Sequence, residues 1–194
     1  MTYDDLPCLV DMETRQEVHD RVVNAATSDM MFVEIGTYMG GTIGRLASKI
    51  KEKKIHPLIY CVDKWICDDI AEGHRKMHNT YDHFYEKFID NMTKIGVLDL
   101  IRCLKMDSIE ASKEFKDQSI DFIFIDGCHS YPYVKNELIV WLPKMKPNSI
   151  LCGHDFPVPQ IKQAVNETIG LNKVYSVTNN GSYVYKIGDG LKGF

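Results

Sequence analysis

Two short segments hold side chains able to move a proton or bind an ion: Asp126-Gly127-Cys128-His129 and His154-Asp155. Each follows an apolar run with strand character, residues 120–125 and 149–153. In an open α/β sheet, polar residues just past the strand ends converge on one crevice. The two segments are therefore expected to face one pocket. An imidazole there can accept a proton near neutral pH, and a carboxylate can hold a cation or orient the ring. Cys128 reads as a neighbour of this chemistry rather than a nucleophile.

A third segment, Phe32-Val-Glu-Ile-Gly-Thr-Tyr-Met-Gly-Gly-Thr-Ile43, reads as a strand feeding a glycine turn that opens a helix. Its glycines do not follow the spacing that lets a pyrophosphate lie on bare backbone. Glu34 and Tyr38 stand where a pyrophosphate would be repelled or blocked. A carboxylate here suits a cationic ligand, and S-adenosylmethionine, with an ammonium, a sulfonium and no phosphate, fits. Gly36 makes the turn. The Gly40-Gly41-Thr42 step opens a helix whose N–H groups can hold a carboxylate. Asp63, closing the run 58–62, offers two acceptors in one plane for a ribose diol. Lys64 follows, then Trp65, whose indole either covers an adenine face or belongs to the core. Asp107-Ser108 can meet the adenine amino group and a ring nitrogen, and also reads as a helix start.

These residues need elements to hold them. Helices are expected over 13–27, 41–51, 81–95 and 133–142, with short ones from Ser108 and over 159–169. Strands are expected over 30–35, 58–62, 101–104, 120–125 and 149–153. Two more β-like runs, 173–177 and 183–187, flank Asn179-Asn180-Gly181-Ser182, a hairpin signal. Alternation of this kind predicts an α/β fold with a mostly parallel sheet that finishes in an antiparallel hairpin. Residues 1–28 are expected to form an N-terminal helical cap and 64–83 a lid over the pocket of one domain spanning 1–194. Within the lid, the spacing of His74 and His78 would let them share a helix face, but it fixes no third ligand, so a solvated lid is the better reading.

The chain has 194 residues and a net charge of −4, enough for one substantial core. No run of basic residues suggests nucleic acid, and no aromatic-flanked motif for a flipped base is present. No stretch reaches the ~18 apolar residues that cross a membrane. Met1-Thr-Tyr-Asp-Asp lacks the charge and apolar run of a secretory signal. The six cysteines form no C-x-x-C pair, so free thiols in a reducing cytoplasm are expected.

Val33-Glu-Ile-Gly-Thr-Tyr-Met-Gly-Gly, Ile125-Asp-Gly-Cys-His-Ser-Tyr131 and Gly153-His-Asp-Phe156 resemble the class I S-adenosylmethionine-dependent methyltransferases. They are most similar to the small-molecule branch related to catechol and macrolide-sugar O-methyltransferases. The likeness covers about residues 30–156 in the expected order. It implies a Rossmann-like sheet of seven strands with a reversed last strand. It also implies cofactor contacts at Glu34, Gly36, Asp63 and Asp107, with Asp126 beside them. In metal-dependent relatives the positions of Asp126, His154 and Asp155 bind a divalent ion, and that of His129 accepts the proton.

His154 stands where those relatives carry a carboxylate. Magnesium prefers oxygen ligands, whereas imidazole suits manganese or a softer ion. Either such an ion binds, or none does and His154 orients or deprotonates the acceptor. The expected reaction is methyl transfer to a hydroxyl of a small molecule, a sugar or glycan-linked group among the candidates. The alternatives are a non-catalytic S-adenosylmethionine-binding module and a nicotinamide oxidoreductase, the latter disfavoured by the missing glycines. The oligomeric state is open, a homo-oligomer included.

Overall fold

The computed structural model describes residues 13–66, 83–178 and 181–194. Seven strands form one sheet: β1 (Met31–Ile35), β2 (Leu58–Asp63), β3 (Ile101–Lys105), β4 (Ile120–Ile125), β5 (Met145–Gly153), β6 (Val174–Val177) and β7 (Tyr183–Ile187). Their order is β3-β2-β1-β4-β5-β7-β6. All pairs through β5 are parallel, and β7 runs antiparallel to both β5 and β6. The reversed last strand and the hairpin are as expected. Strand order reverses between β1 and β4, so the ligand crevice of an α/β sheet falls beyond their carboxyl ends.

The central strand β4 is buried at every position, as a parallel strand covered on both faces must be. Helices cover the two faces. On one lie α1 (Glu13–Ala25), α2 (Gly41–Glu52) and α3 (Phe84–Lys94), packing Val18, Val22, Phe88 and Met92 against Phe32, Cys61 and Phe122. On the other, α5 (Tyr131–Trp141) and α6 (Pro159–Thr168) set Val134, Leu138, Trp141 and Ile161 against Val33, Ile123 and Ile125. The short α4 (Ser108–Ala111) follows β3. Among the described residues, no helix is long and apolar enough to cross a membrane.

Most element ends differ from the sequence expectation by a few residues, and two of the shifts have a plain physical cause. Helix α5 starts at Tyr131, because Ser130 is extended and Pro132 sits in the first turn, where its missing N–H costs nothing. Strand β5 starts at Met145, which pairs with Ile120 across a bulge that the alternation does not reveal. The segment 67–82, with His74, His78 and most of the expected lid, lies outside the described residues, as do Asn179 and Asn180. Gly181, at φ 84°, closes the turn between β6 and β7.

Candidate active site

Beyond the ends of β4 and β5 lies a cleft lined by Asp126, His129, His154 and Asp155, with Ile161 and Tyr183 on its apolar wall. The backbone of the adjoining strands holds the site together: Asp126 N–H donates to Ile35 O at 2.8 Å, and His154 N–H to Ile125 O at 3.0 Å. Gly36, at φ 82°, is required at this junction, because a Cβ there would stand 2.2 Å from Asp126 O. The turn after β1 and the acid after β4 therefore touch through bare backbone.

Asp155 joins the two histidines. Its Oδ2 lies 2.7 Å from His129 Nε2, and its Oδ1 lies 3.0 Å from His154 Nδ1. Burial raises the Asp155 pKa, but the two histidines together outweigh burial and hold the carboxyl well below the usual range. Asp155 also adopts φ 55°, an uncommon conformation for a residue with a Cβ. Asp126 Oδ1 lies 3.8 Å from His154 Nδ1. The close approach of His154 to Asp155 misses hydrogen-bond geometry, and both His154 ring nitrogens are buried with no hydrogen-bond partner. One donor atom each from Asp126, His154 and Asp155 lies within 4.8 Å of the others. A buried imidazole without a hydrogen bond, next to two carboxylates, fits a divalent ion that accepts mixed nitrogen and oxygen ligands.

The residues expected to meet the cofactor lie toward β2 and β3. Asp63 accepts Tyr38 N–H on one oxygen at 2.8 Å and Trp65 N–H on the other at 2.7 Å. Two backbone donors thus fix the plane of the carboxylate. Burial nonetheless leaves its pKa raised. No side chain caps α2, so the first-turn N–H groups at Gly41 and Thr42 have no capping side-chain acceptor. Gly40, at φ 86°, is also a packing glycine, since a Cβ there would meet the methyl of Met92 at 2.6 Å.

Trp65 is buried, with its Nε1–H donated to Tyr38 O at 2.6 Å and its ring against Tyr85 and Phe88. Of its two expected roles, this placement matches packing. Asp107 caps α4 by accepting Ile109 N–H at 2.9 Å, as its helix-start reading implied. Its other oxygen receives Tyr133 O–H at 2.6 Å and lies 3.0 Å from Lys64 Nζ. Burial raises the Asp107 pKa, while Tyr133 and Lys64 together bring it below the ordinary value. Ser108 is buried and turned inward, donating its hydroxyl to Glu137. Glu34 is buried on the α1 side of the sheet, its Oε2 4.0 Å from His19 Nε2.

Four residues that matter here escaped the sequence reading. His19 abuts Glu34, and its place three before Val22 on the buried face of α1 was the available signal. Glu137 and Tyr133 support Ser108 and Asp107, and Glu137 interrupts the apolar stripe Val134, Leu138, Trp141. Asn91, buried in α3, donates to Met39 O at 3.0 Å and braces the turn after β1.

The described architecture agrees with comparison to known proteins. A methyltransferase-domain family model matches residues 33–156. An uncharacterized protein, y4gI, from Sinorhizobium fredii is 27% identical over 65% of this chain, which spans only 13% of that relative's length. Among solved structures, the O-methyltransferase TomG from Streptomyces achromogenes, in complex with S-adenosylmethionine, superposes with a TM-score of 0.63 at 14% identity, covering 95% of this chain and 85% of its own. The O-methyltransferase NovP gives 0.61 at 20% identity over 91% and 78%. A precorrin-8W decarboxylase from Methanobacterium thermoautotrophicum gives 0.64 at 15% identity over 96% and 95%. At these identities the structural likenesses establish the fold, which serves more than one chemistry. The family match spans well over half of the sequence and includes the β1 turn, the Asp126 loop and the His154-Asp155 pair. The chain therefore belongs to the methyltransferase-domain family, the class I S-adenosylmethionine-dependent methyltransferases.

Proposed function

We propose that this enzyme methylates a hydroxyl of a small molecule in the cytoplasm, sugars or sugar-linked groups being the first acceptors to test, with His129 as general base. The observation that carries this reading is the 2.7 Å contact between His129 Nε2 and Asp155 Oδ2 in the cleft beyond β4 and β5. Donation of Nε2–H to Asp155 selects the tautomer in which Nδ1 bears the lone pair. Asp155 also stops the ring from turning. His129 then takes the proton of the acceptor hydroxyl, which is a poor nucleophile until it is lost. The O-methyltransferases NovP and TomG share this fold, which supports oxygen as the acceptor atom.

The residues on the rim fit the cofactor. Asp63, its carboxylate oriented by two backbone donors, would accept the ribose hydroxyls. The uncapped start of α2 would take the methionine carboxylate, and Glu34 would serve its amino end. Asp107 and Ser108 would border the adenine, with Lys64 and Tyr133 holding Asp107 in place. Bound S-adenosylmethionine supplies a methyl carbon on a sulfonium leaving group, so the protein's task is alignment and activation of the acceptor. Asp126, His154 and Asp155 would hold a divalent ion, which supplies Lewis acidity toward the acceptor oxygen. The imidazole favours manganese or zinc over magnesium.

The test is methyl transfer from radiolabelled S-adenosylmethionine to a panel of sugars, phenols and other small hydroxyl compounds. Label appearing in an ether product, and lost in His129→Ala, supports the reading. Cofactor binding without transfer to any hydroxyl would instead mark a binding module.

A further inference from the structure

Cys61 and Cys103 stand directly opposite each other on the parallel strands β2 and β3. Paired residues on neighbouring strands are ~4.8 Å apart, inside the roughly 4.4–6.8 Å Cα separation a disulfide spans. Both thiols belong to the same face of the sheet, against α3. Both are free thiols. Cys61 is sealed from solvent, while Cys103 is half-exposed at the edge strand. One sulfur is thus reachable, and its partner waits behind it.

The pair is chemically polarised. The neighbouring Cys61 thiol lowers the Cys103 thiol from its ordinary value, and burial pushes Cys61 well above it. Lys105, two residues along the same strand face, holds its Nζ 4.4 Å over the ring of Tyr85, which flanks both thiols. A reachable sulfur beside a buried resolving cysteine is the arrangement that peroxides attack.

We infer that Cys103 and Cys61 form a peroxide-responsive modification site that closes to a disulfide. The Cys103 thiolate attacks one peroxide oxygen, the O–O bond breaks and hydroxide leaves, giving a sulfenic acid. The Cys61 sulfur then attacks the Cys103 sulfur. The S–S bond forms, the S–O bond breaks, and the departing oxygen leaves as water with the Cys61 proton. Two thiols are oxidised while one peroxide becomes two waters.

The site adjoins the binding rim. Cys61 is the register partner of Glu34 on β1, and Asp63 follows it by two residues on the same strand. A disulfide prefers a Cα separation of about 5.5–6 Å, so a bond across β2 and β3 would shift the strand that carries Asp63 and pairs with Glu34. This coupling, unlike the thiol chemistry, rests on the proposed cofactor roles of Glu34 and Asp63.

The experiment treats the full chain with hydrogen peroxide and maps its cysteines by non-reducing digestion and mass spectrometry. A Cys61–Cys103 linked peptide, two hydrogens lighter and reversed by a thiol reductant, is expected. Cys61→Ser should instead trap a sulfenic acid on Cys103 as a dimedone adduct. In Cys103→Ser, the milder change, Cys61 should stay reduced. Alkylation of both cysteines as free thiols after treatment, or a link to any other cysteine in their place, would overturn the inference. Affinity for S-adenosylhomocysteine should fall about tenfold in the linked form and recover on reduction. A link without that loss would overturn the coupling. If the reduced protein fails to bind S-adenosylhomocysteine, the cofactor reading fails, and the peptide map still decides the thiol chemistry by itself.

Discussion

The Asp155 carboxylate faces two imidazoles, His129 at 2.7 Å on one oxygen and His154 at 3.0 Å on the other. One side chain thereby ties the proposed base to the candidate metal ligands. The arrangement separates two effects that a variant can test. His129→Ala should lower kcat by ~100-fold or more, since loss of a positioned base costs that much. Affinity for S-adenosylhomocysteine should stay within about twofold, because the rim residues proposed to hold it are untouched. Activity equal to the parent enzyme would remove His129 from the reaction.

On the proposed metal reading, His154 would decide which ion is used. Dialysis against a chelator should abolish transfer, and manganese or zinc should restore it better than magnesium. His154→Asp supplies a third carboxylate and should reverse that order. Activity indifferent to chelation and add-back would exclude an ion from the mechanism.

Glu137 makes stability depend on pH. It is almost fully buried, and burial pushes its carboxyl up to about 8, against the opposing hydrogen bond from Ser108. The folded state thus keeps a proton that the unfolded chain releases near 4.5. The stability linked to this proton is complete below the unfolded value and is lost as pH rises through the folded one. The melting temperature should therefore decline between about pH 5 and pH 9. Glu137→Gln, which stays neutral throughout, should flatten the decline. A variant with the parent's full pH dependence would show that another group is responsible.

The sequence discloses this architecture where burial leaves a periodic trace. Strand β4 reads directly, because burial on both faces demands an apolar run, here Phe122 to Ile125, with Asp121 near its start accepting Met31 N–H. The acids at strand ends stand out for the converse reason: Asp63 and Asp126 are polar residues that terminate apolar runs. What the sequence conceals is pairing between distant segments. Nothing in local spacing sets Tyr133 and Lys64 on Asp107, or His19 beside Glu34. Trp65 shows the limit from another side. Its position after Asp63 suits either a ligand or the core, and only the packing of Tyr85 and Phe88 around it distinguishes them. The Met145 start of β5 is hidden likewise, because a bulge breaks the alternation that would announce it.

Calorimetric titration of S-adenosylhomocysteine into the parent protein and Asp63→Ala addresses the central claim most directly. The carboxylate of Asp63, held by the backbone of Tyr38 and Trp65, is the group proposed to receive the ribose. Saturable heat in the parent and none in Asp63→Ala is the expected result. Absence of heat in the parent, or equal affinity in both proteins, would contradict it.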